Sequence, residues 1–436
     1  MNWLVEPKPI YFLCSLLNSF AAIMEKTKRP LLILILGLLS AIGPFSIDMY
    51  LPGFPTIAAD LDTTIDDVSY SLSSFFIGIC LGQLICGPLL DRFGRKKPLY
   101  TGLVIYILAS LGCAFSDSVE LLIGFRFLQA LGGCVGMVAP SAIVRDVFPV
   151  KENAKIFSML ILILGVSPII APTVGSLVIA AFGWQAVFLV LASISTLLLI
   201  TVIFFLPESK GPNTSMSLHP VPIFKGFFAV LRQPQFFTYA FSGAIAAAGL
   251  FAYLAGSPFV FMEIFHVSDQ QYGWIFGLVA AGLITSSQVN NVLLKKYSSA
   301  QIIKTVLLVQ TGIGLCLFFG SVFNLLNIYS TIGLIFLFLS CQGFSFPNSS
   351  ALSLAPFSKE AGSAAALMGA LQMGFGAAAS ALVGMINNGT TMPMTGVMAG
   401  CAFMGLLILL LGNRRIQYTA RIDEVERQAF EQLEKY

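Results

Sequence analysis

Twelve apolar runs of about twenty residues follow one another along this chain, and a run of that length is what an α-helix needs to cross a hydrocarbon core about 30 Å thick. They cover roughly residues 31–55, 69–90, 98–116, 120–145, 156–181, 184–206, 236–262, 270–294, 301–323, 328–354, 361–387 and 391–412. Inside lipid, every backbone N–H and C=O has to be satisfied within the protein, which leaves helices as the structure for such runs. Composition agrees: 57% of the 436 residues are hydrophobic and 10% are charged, whereas soluble domains are about 45–50% apolar. The expected fold class is an all-α polytopic membrane protein with twelve transmembrane helices in two pseudo-symmetric six-helix halves.

The linkers between the runs alternate in charge. Odd-numbered linkers hold Asp60, Asp62, Asp66, Asp67, Asp117, His266 and Asp269 but no Lys or Arg. Basic residues gather before the first run (Lys26, Lys28, Arg29) and in the even linkers: Arg92, Arg95, Lys96 and Lys97, then Arg145, Lys151 and Lys155, then Lys210, Lys225 and Arg232. The second half continues with Lys295, Lys296 and Lys304, then Lys359, and Arg414, Arg415 and Arg421 after the last run. By the positive-inside rule both termini are cytoplasmic. A shorter apolar stretch, Ile10 to Ile23, is about 14 residues long, too short for a span, and crossing there would turn basic residues outward. Translation starting at Met24 would omit it, and the sequence favours neither start.

The division that follows is a cytoplasmic N-terminal segment (1–30), a six-helix half (31–206), a Pro-rich cytoplasmic linker (207–235), a second six-helix half (236–412) and a cytoplasmic tail (413–436). The halves echo each other weakly. The inner turn Asp91-Arg92-Phe93-Gly94 has a counterpart about 204 positions on, Lys295-Lys296-Tyr297-Ser298, as expected of repeats that rock about a central site.

Several functions are excluded by what the chain lacks. The eight cysteines lie mostly in apolar runs, with no CxxC pair and no His at metal spacing, so no metal is expected. There is no GxxxxGK[ST] phosphate loop, which argues against an ATP-driven pump. Both histidines, His219 and His266, fall in linkers, and no nucleophile, base and orienting group converge. No enzyme activity and no cofactor are expected, and a non-transport sensor is disfavoured.

Three motifs then carry a resemblance that covers most of residues 30–412. The turn Gly87-Pro88-Leu89-Leu90-Asp91-Arg92-Phe93-Gly94-Arg95-Lys96 resembles the signature between the second and third helices of the major facilitator superfamily. In the fourth span, Arg126-Phe127-Leu128-Gln129-Ala130-Leu131-Gly132-Gly133 resembles the superfamily's motif for proton transfer. The fifth, Gly165-Val166-Ser167-Pro168-Ile169-Ile170-Ala171-Pro172-Thr173-Val174-Gly175, resembles the motif of drug/proton antiporters, with Ala171 where many members have Gly. Asp48-Met49-Tyr50-Leu51-Pro52-Gly53-Phe54-Pro55, Phe182-Gly183-Trp184 and Gly256-Ser257-Pro258-Phe259 add similarity to the bicyclomycin-resistance (Bcr/CflA) subfamily. The resemblance implies a twelve-helix exporter of drug-like or amphipathic compounds coupled to protons, monomeric, in a bacterial inner membrane. A dedicated exporter or importer of one metabolite, such as an amino acid or siderophore, is the alternative. The partners implied are a small-molecule substrate, protons and the lipid bilayer, with no nucleic acid.

Candidate residues follow from charge in the spans. Asp48 is the one acid well inside a run; about 17 residues along a helix rising 1.5 Å each, it reaches the outer half of the bilayer. Arg126 enters from the outer side to a similar depth, and two ionisable groups so costly to bury would share a polar cavity. Asp48 is expected to carry the proton with Arg126 tuning it; alternatively, Asp48 caps the bend made by Pro52 and Pro55 while Arg126 snorkels outward. Gly87, Asp91, Arg92, Gly94, Arg95 and Lys96 form either a gate or a turn that only fixes topology, and the resemblance points the gate at the helix opening near Lys359, Glu360 and Gly362. Gly165, Pro168, Pro172 and Gly175 permit a bend and close packing, and the resemblance implies a seal against proton leak. Tyr50, Tyr253, Gln342, Asn348 and Gln372 are candidate pocket residues, although buried Gln and Asn also serve as interhelical bonds.

Overall fold

The computed structural model describes residues 30–148, 150–213, 220–357 and 361–433. The stretch Ile10 to Ile23, Met24, Lys359 and Glu360 lie outside them. Helix α1 (Pro30–Asp60) is followed by α2 (Ile65–Phe93), α3 (Lys96–Ala114), α4 (Val119–Val147), α5 (Val150–Phe182) and α6 (Gln185–Phe205). A linker helix, α7 (Pro220–Arg232), leads into α8 (Pro234–Pro258), α9 (Asp269–Leu293), α10 (Ser299–Val322), α11 (Ile328–Leu354), α12 (Ala361–Met385) and α13 (Met392–Leu433). Eleven helices among the described residues are long and apolar enough to cross a membrane. The fifth expected span is α5, 33 residues long, whose apolar stretch Val166–Phe182 completes the set of twelve by its place in the order.

Local signals explain the ends. Thr64 with Asp67, Ser268 with Gln271, Ser298 with Gln301 and Asn327 with Ser330 form reciprocal caps at the starts of α2, α9, α10 and α11, each satisfying amides that the helix cannot. Gly94, at φ +84°, ends α2 and turns the chain into α3. The linker expected at 207–235 contains a helix that was not anticipated, α7, and the tail continues α13 without a break.

Within the first half, α4 packs on α2 and α3, and α3 on α6; in the second, α8 packs on α12 and α13, and α9 and α10 on α11. The halves meet along two seams, α2 with α12 and α5 with α9. On the first, Ser73 Oγ donates to Ser380 Oγ at 2.8 Å and Asn387 Nδ2 to Asp66 Oδ2 at 2.6 Å, and beside it Phe76 of α2 meets Phe251 of α8 edge-on at 4.6 Å. The pair of Asn387 and Asp66 lies at the face of acidic loops, opposite the face of basic ones.

Candidate functional site

The site is organised by a break in α1. Residues 30–48 are helical, the chain bends at 49–50, a 3₁₀ turn spans Leu51–Gly53, and the helix resumes at Phe54–Asp60. Pro52 has no N–H to give the carbonyl four residues earlier, which is that of Asp48, and its ring crowds that same carbonyl. The helix therefore stops at its acid. Gly175 of α5 closes on this break, where a Cβ would overlap the Met49 carbonyl.

Asp48 is 5% exposed and, among the described residues, has no hydrogen-bond or ion-pair partner. The turn that follows it packs on α8 and α9 of the other half, and the carboxyl group interacts electrostatically with the hydroxyls of Tyr253 and Tyr272 there. Tyr272 Oη shares a 2.8 Å hydrogen bond with Ser257 Oγ, whereas Tyr253 Oη is buried with no partner among the described residues. Just beyond, Pro258 gives way to a π-helical turn, Phe259–Ile264, a form that often marks functional sites.

Arg126 is fully buried in α4. Its Nη1 donates to Gln129 Oε1 at 2.6 Å, Gln129 Nε2 donates to Ser110 Oγ at 2.7 Å, and Ser110 Oγ donates to the Tyr106 carbonyl at 2.7 Å. Tyr106 Oη in turn shares a 2.5 Å hydrogen bond with Ser46 Oγ of α1. The guanidinium carbon lies 4.3 Å from the Tyr50 ring centre, 4.2 Å from that of Phe75 and 5.8 Å from that of Phe188. Aromatic faces carry negative charge density and so stabilise a desolvated cation. Among the described residues, Arg126 Nε and Nη2 are left without partners.

Asp48 and Arg126 therefore form no ion pair in this structure. The bend at 49–50 separates the two directions: Asp48 faces Tyr253 and Tyr272 of the second half, whereas Tyr50, just past the bend, faces Arg126. Snorkelling is also excluded, since Arg126 has no exposed surface.

At the basic face, Arg95 is the centre of the charged turn. Its Nε donates to Asp146 Oδ2 at 2.7 Å and its Nη1 to Asp91 Oδ1 at 3.0 Å, while Lys210 Nζ reaches Asp91 Oδ1 at 3.3 Å. Glu208 accepts from the amides of Arg95 and Lys96. Burial of the Arg95 guanidinium disfavours its charge, but the hydrogen bonds to Asp146 and Asp91 outweigh this and hold its pKa above the ordinary value. The gate contact expected toward Lys359 and Glu360 falls outside the described residues; Gly362 is exposed in the first turn of α12. Gly87 lies in α2, and Arg92 is in its last turn.

The pocket candidates divide. Tyr50 Oη shares a 3.2 Å bond with Ser71 Oγ. Gln342 Nε2 donates to the Ala246 carbonyl at 2.7 Å, and Asn348 Nδ2 to Asn290 Oδ1 at 2.7 Å, so both tie helices together. Gln372 is buried in α12. Gly165, Pro168, Pro172 and Gly175 all lie in α5, where Ser167 Oγ takes the Leu164 carbonyl that Pro168 cannot serve. A cavity of 360 Å³ opens at the acidic face between Thr63 to Asp66 of one half and Phe259 and Glu263 of the other.

Gln129 and Ser257 stood only as members of quoted motifs, and Tyr272, Asp146 and Glu208 were not named as candidates from the sequence. Gln129 carried a signal, three positions from Arg126 on one helix face. The others are brought in by packing between distant segments.

The family model of the Major Facilitator Superfamily matches residues 36–384. The chain belongs to that superfamily. It is 34% identical over 392 residues to an uncharacterised MFS-type transporter, YdgK of Bacillus subtilis, covering 87% of this chain and 94% of that protein. A bicyclomycin resistance protein homolog of Haemophilus influenzae is 30% identical over 375 residues, 86% of this chain and 94% of that protein. The multidrug resistance protein MdtL of Escherichia coli is 29% identical, over 84% of this chain and 92% of its own. These names agree with the subfamily resemblance carried by the motifs. Among solved structures, the nucleoside transporter NupG superposes with TM-score 0.69 at 14% identity, covering 88% of this chain and 99% of that one. A D-xylose-proton symporter gives 0.66 at 14%, over 88% and 97%. Both likenesses concern the fold. This superfamily member is thus a multi-pass membrane transporter, and not an enzyme.

Proposed function

We propose that this transporter exports small drug-like or amphipathic compounds in exchange for protons, by alternating access, from the cytoplasm across a bacterial inner membrane with both termini inside. The observation that carries the reading is Asp48: a buried carboxyl group, without a partner, at a helix break on the seam between the halves. Burial of a charge without a counter-ion is costly, so loss or gain of the proton there changes which packing of the halves is favoured. Protonated, the side chain fits the closed seam with Tyr253 and Tyr272. Ionised, it calls for water or a cationic partner and favours opening.

Arg126 supplies a fixed positive field in the same half. Its two free donors are available to an acceptor that arrives when the halves rearrange, and Asp48 or the substrate is that acceptor. The relatives named for bicyclomycin and multidrug resistance support drug-like cargo over a single metabolite. The Arg95, Asp91 and Asp146 cluster holds the cytoplasmic ends of α2, α3 and α4 as one body during the motion.

The test is transport by purified protein in vesicles under an imposed pH gradient, with a panel of antibiotics, dyes, amino acids and siderophores. Gradient-driven movement of several unrelated amphipathic compounds is expected. Movement of one metabolite alone, or full gradient-driven transport by Asp48→Asn, contradicts the proposal.

A further inference from the structure

The linker helix α7 has two faces that the transport cycle does not account for. Phe227 and Val230 are buried in a cluster with Phe236, Ala240, Ala364 and Leu367, against which Leu84 of α2 also packs. The helix therefore lies across the basic-face ends of α8 and α12, on a cluster that Leu84 of the other half also reaches. Its opposite face, at spacing i, i+3, i+4, i+7, is Lys225, Phe228, Ala229 and Arg232, all exposed. Phe228 is 55% exposed, and the Arg232 guanidinium sits 4.5 Å from its ring centre.

Charge and depth identify what covers this face. From residue 209 to 262 the chain has no Asp or Glu, and among the described residues neither Lys225 nor Arg232 meets a carboxylate. Span α8 starts two residues after Arg232, at Pro234, and in its first turn Phe237 is exposed and stacks on Phe241 at 4.3 Å. Phe228 and the two cations are thus level with the membrane surface on the side where basic loops gather. An aromatic ring flanked by cations at that level suits the boundary between acyl chains and headgroups.

The geometry points to α7 as a docking surface for anionic phospholipid, with Lys225 and Arg232 on the headgroup phosphate and Phe228 against the upper acyl chain. A neutral lipid gains only the apolar part of the contact. Each Lys or Arg near an anionic surface contributes enough for about a fivefold change in affinity, so the two together give about 25-fold.

The experiment titrates full-length protein with phosphatidylglycerol and, separately, phosphatidylcholine, reading bound lipid by native mass spectrometry, with no transport assay involved. Lys225→Gln with Arg232→Gln is expected to weaken phosphatidylglycerol binding by about 25-fold and to leave phosphatidylcholine binding unchanged. Lys225→Arg with Arg232→Lys is expected to keep it. Wild-type binding of the anionic lipid is also expected to fall as salt is raised, which tests the claim without any variant. Equal binding of the two lipids by wild type, unchanged phosphatidylglycerol binding in the Gln variant, or displacement of the lipid by equimolar glycerol phosphate would each overturn the assignment.

Discussion

Gly175 of α5 lies against the carbonyl of Met49, so closely that a Cβ at 175 would overlap that oxygen. The antiporter-like motif thus touches the residue next to Asp48, and its glycine serves the break in α1. Gly175→Ala should push the break toward α8 and α9, at a cost of about 1–3 kcal/mol for overpacking a buried contact. The expected outcome is a lower unfolding temperature together with reduced gradient-driven transport. Wild-type values for both would show that the contact yields easily.

For Asp48→Asn, the amide keeps the shape of the carboxyl but cannot exchange a proton. Transport of a substrate down its own gradient is expected to persist, while accumulation against a gradient is lost and the rate becomes flat with pH. Paired measurements of counterflow and pH-driven transport distinguish this from misfolding, which abolishes both.

Much of this arrangement was legible one residue at a time. The twelve spans follow from run length, and the break in α1 from the bend expected at Pro52 and Pro55. The relation of Asp48 to Arg126 was not, because counting residues gives depth along a helix and not the direction around it. Two side chains at one depth can face different seams, as these do. Helix α7 was hidden for another reason: Pro220 and Pro222 mark a loop by composition, yet proline is well tolerated in a helix's first turn, where its N–H would have no partner. Asp146 lies 51 residues from Arg95, and no local pattern announces that meeting.

Arg126→Lys keeps a positive charge but loses the planar group held between Gln129 and three rings. A hydrogen bond to a charged group contributes about 1.5–3 kcal/mol, and lysine reproduces neither the fork nor the stacking. The variant should unfold at a lower temperature and transport poorly. Recovery of both by adding Gln129→Glu, which offers lysine a carboxylate, would support the role of the polar chain from Arg126 to Ser110.

Asp146 and Asp91 both pair with Arg95, but their settings differ. The Asp146 side chain is 18% exposed and Asp91 is 38% exposed, with Lys210 as a second partner. Arg95 itself is only 6% exposed at its side chain, so removing its better-buried partner leaves a desolvated cation. Asp146→Ala is expected to destabilise by about 3 kcal/mol, as breaking a buried pair does, and Asp91→Ala by about 1 kcal/mol or less, as for a surface pair. Unfolding midpoints in detergent at low and high salt check the ranking. The Asp91 effect should shrink with salt and the Asp146 effect should not, because screening acts on the exposed pair; the reverse order would mean that Asp91, and not Asp146, holds Arg95 in place.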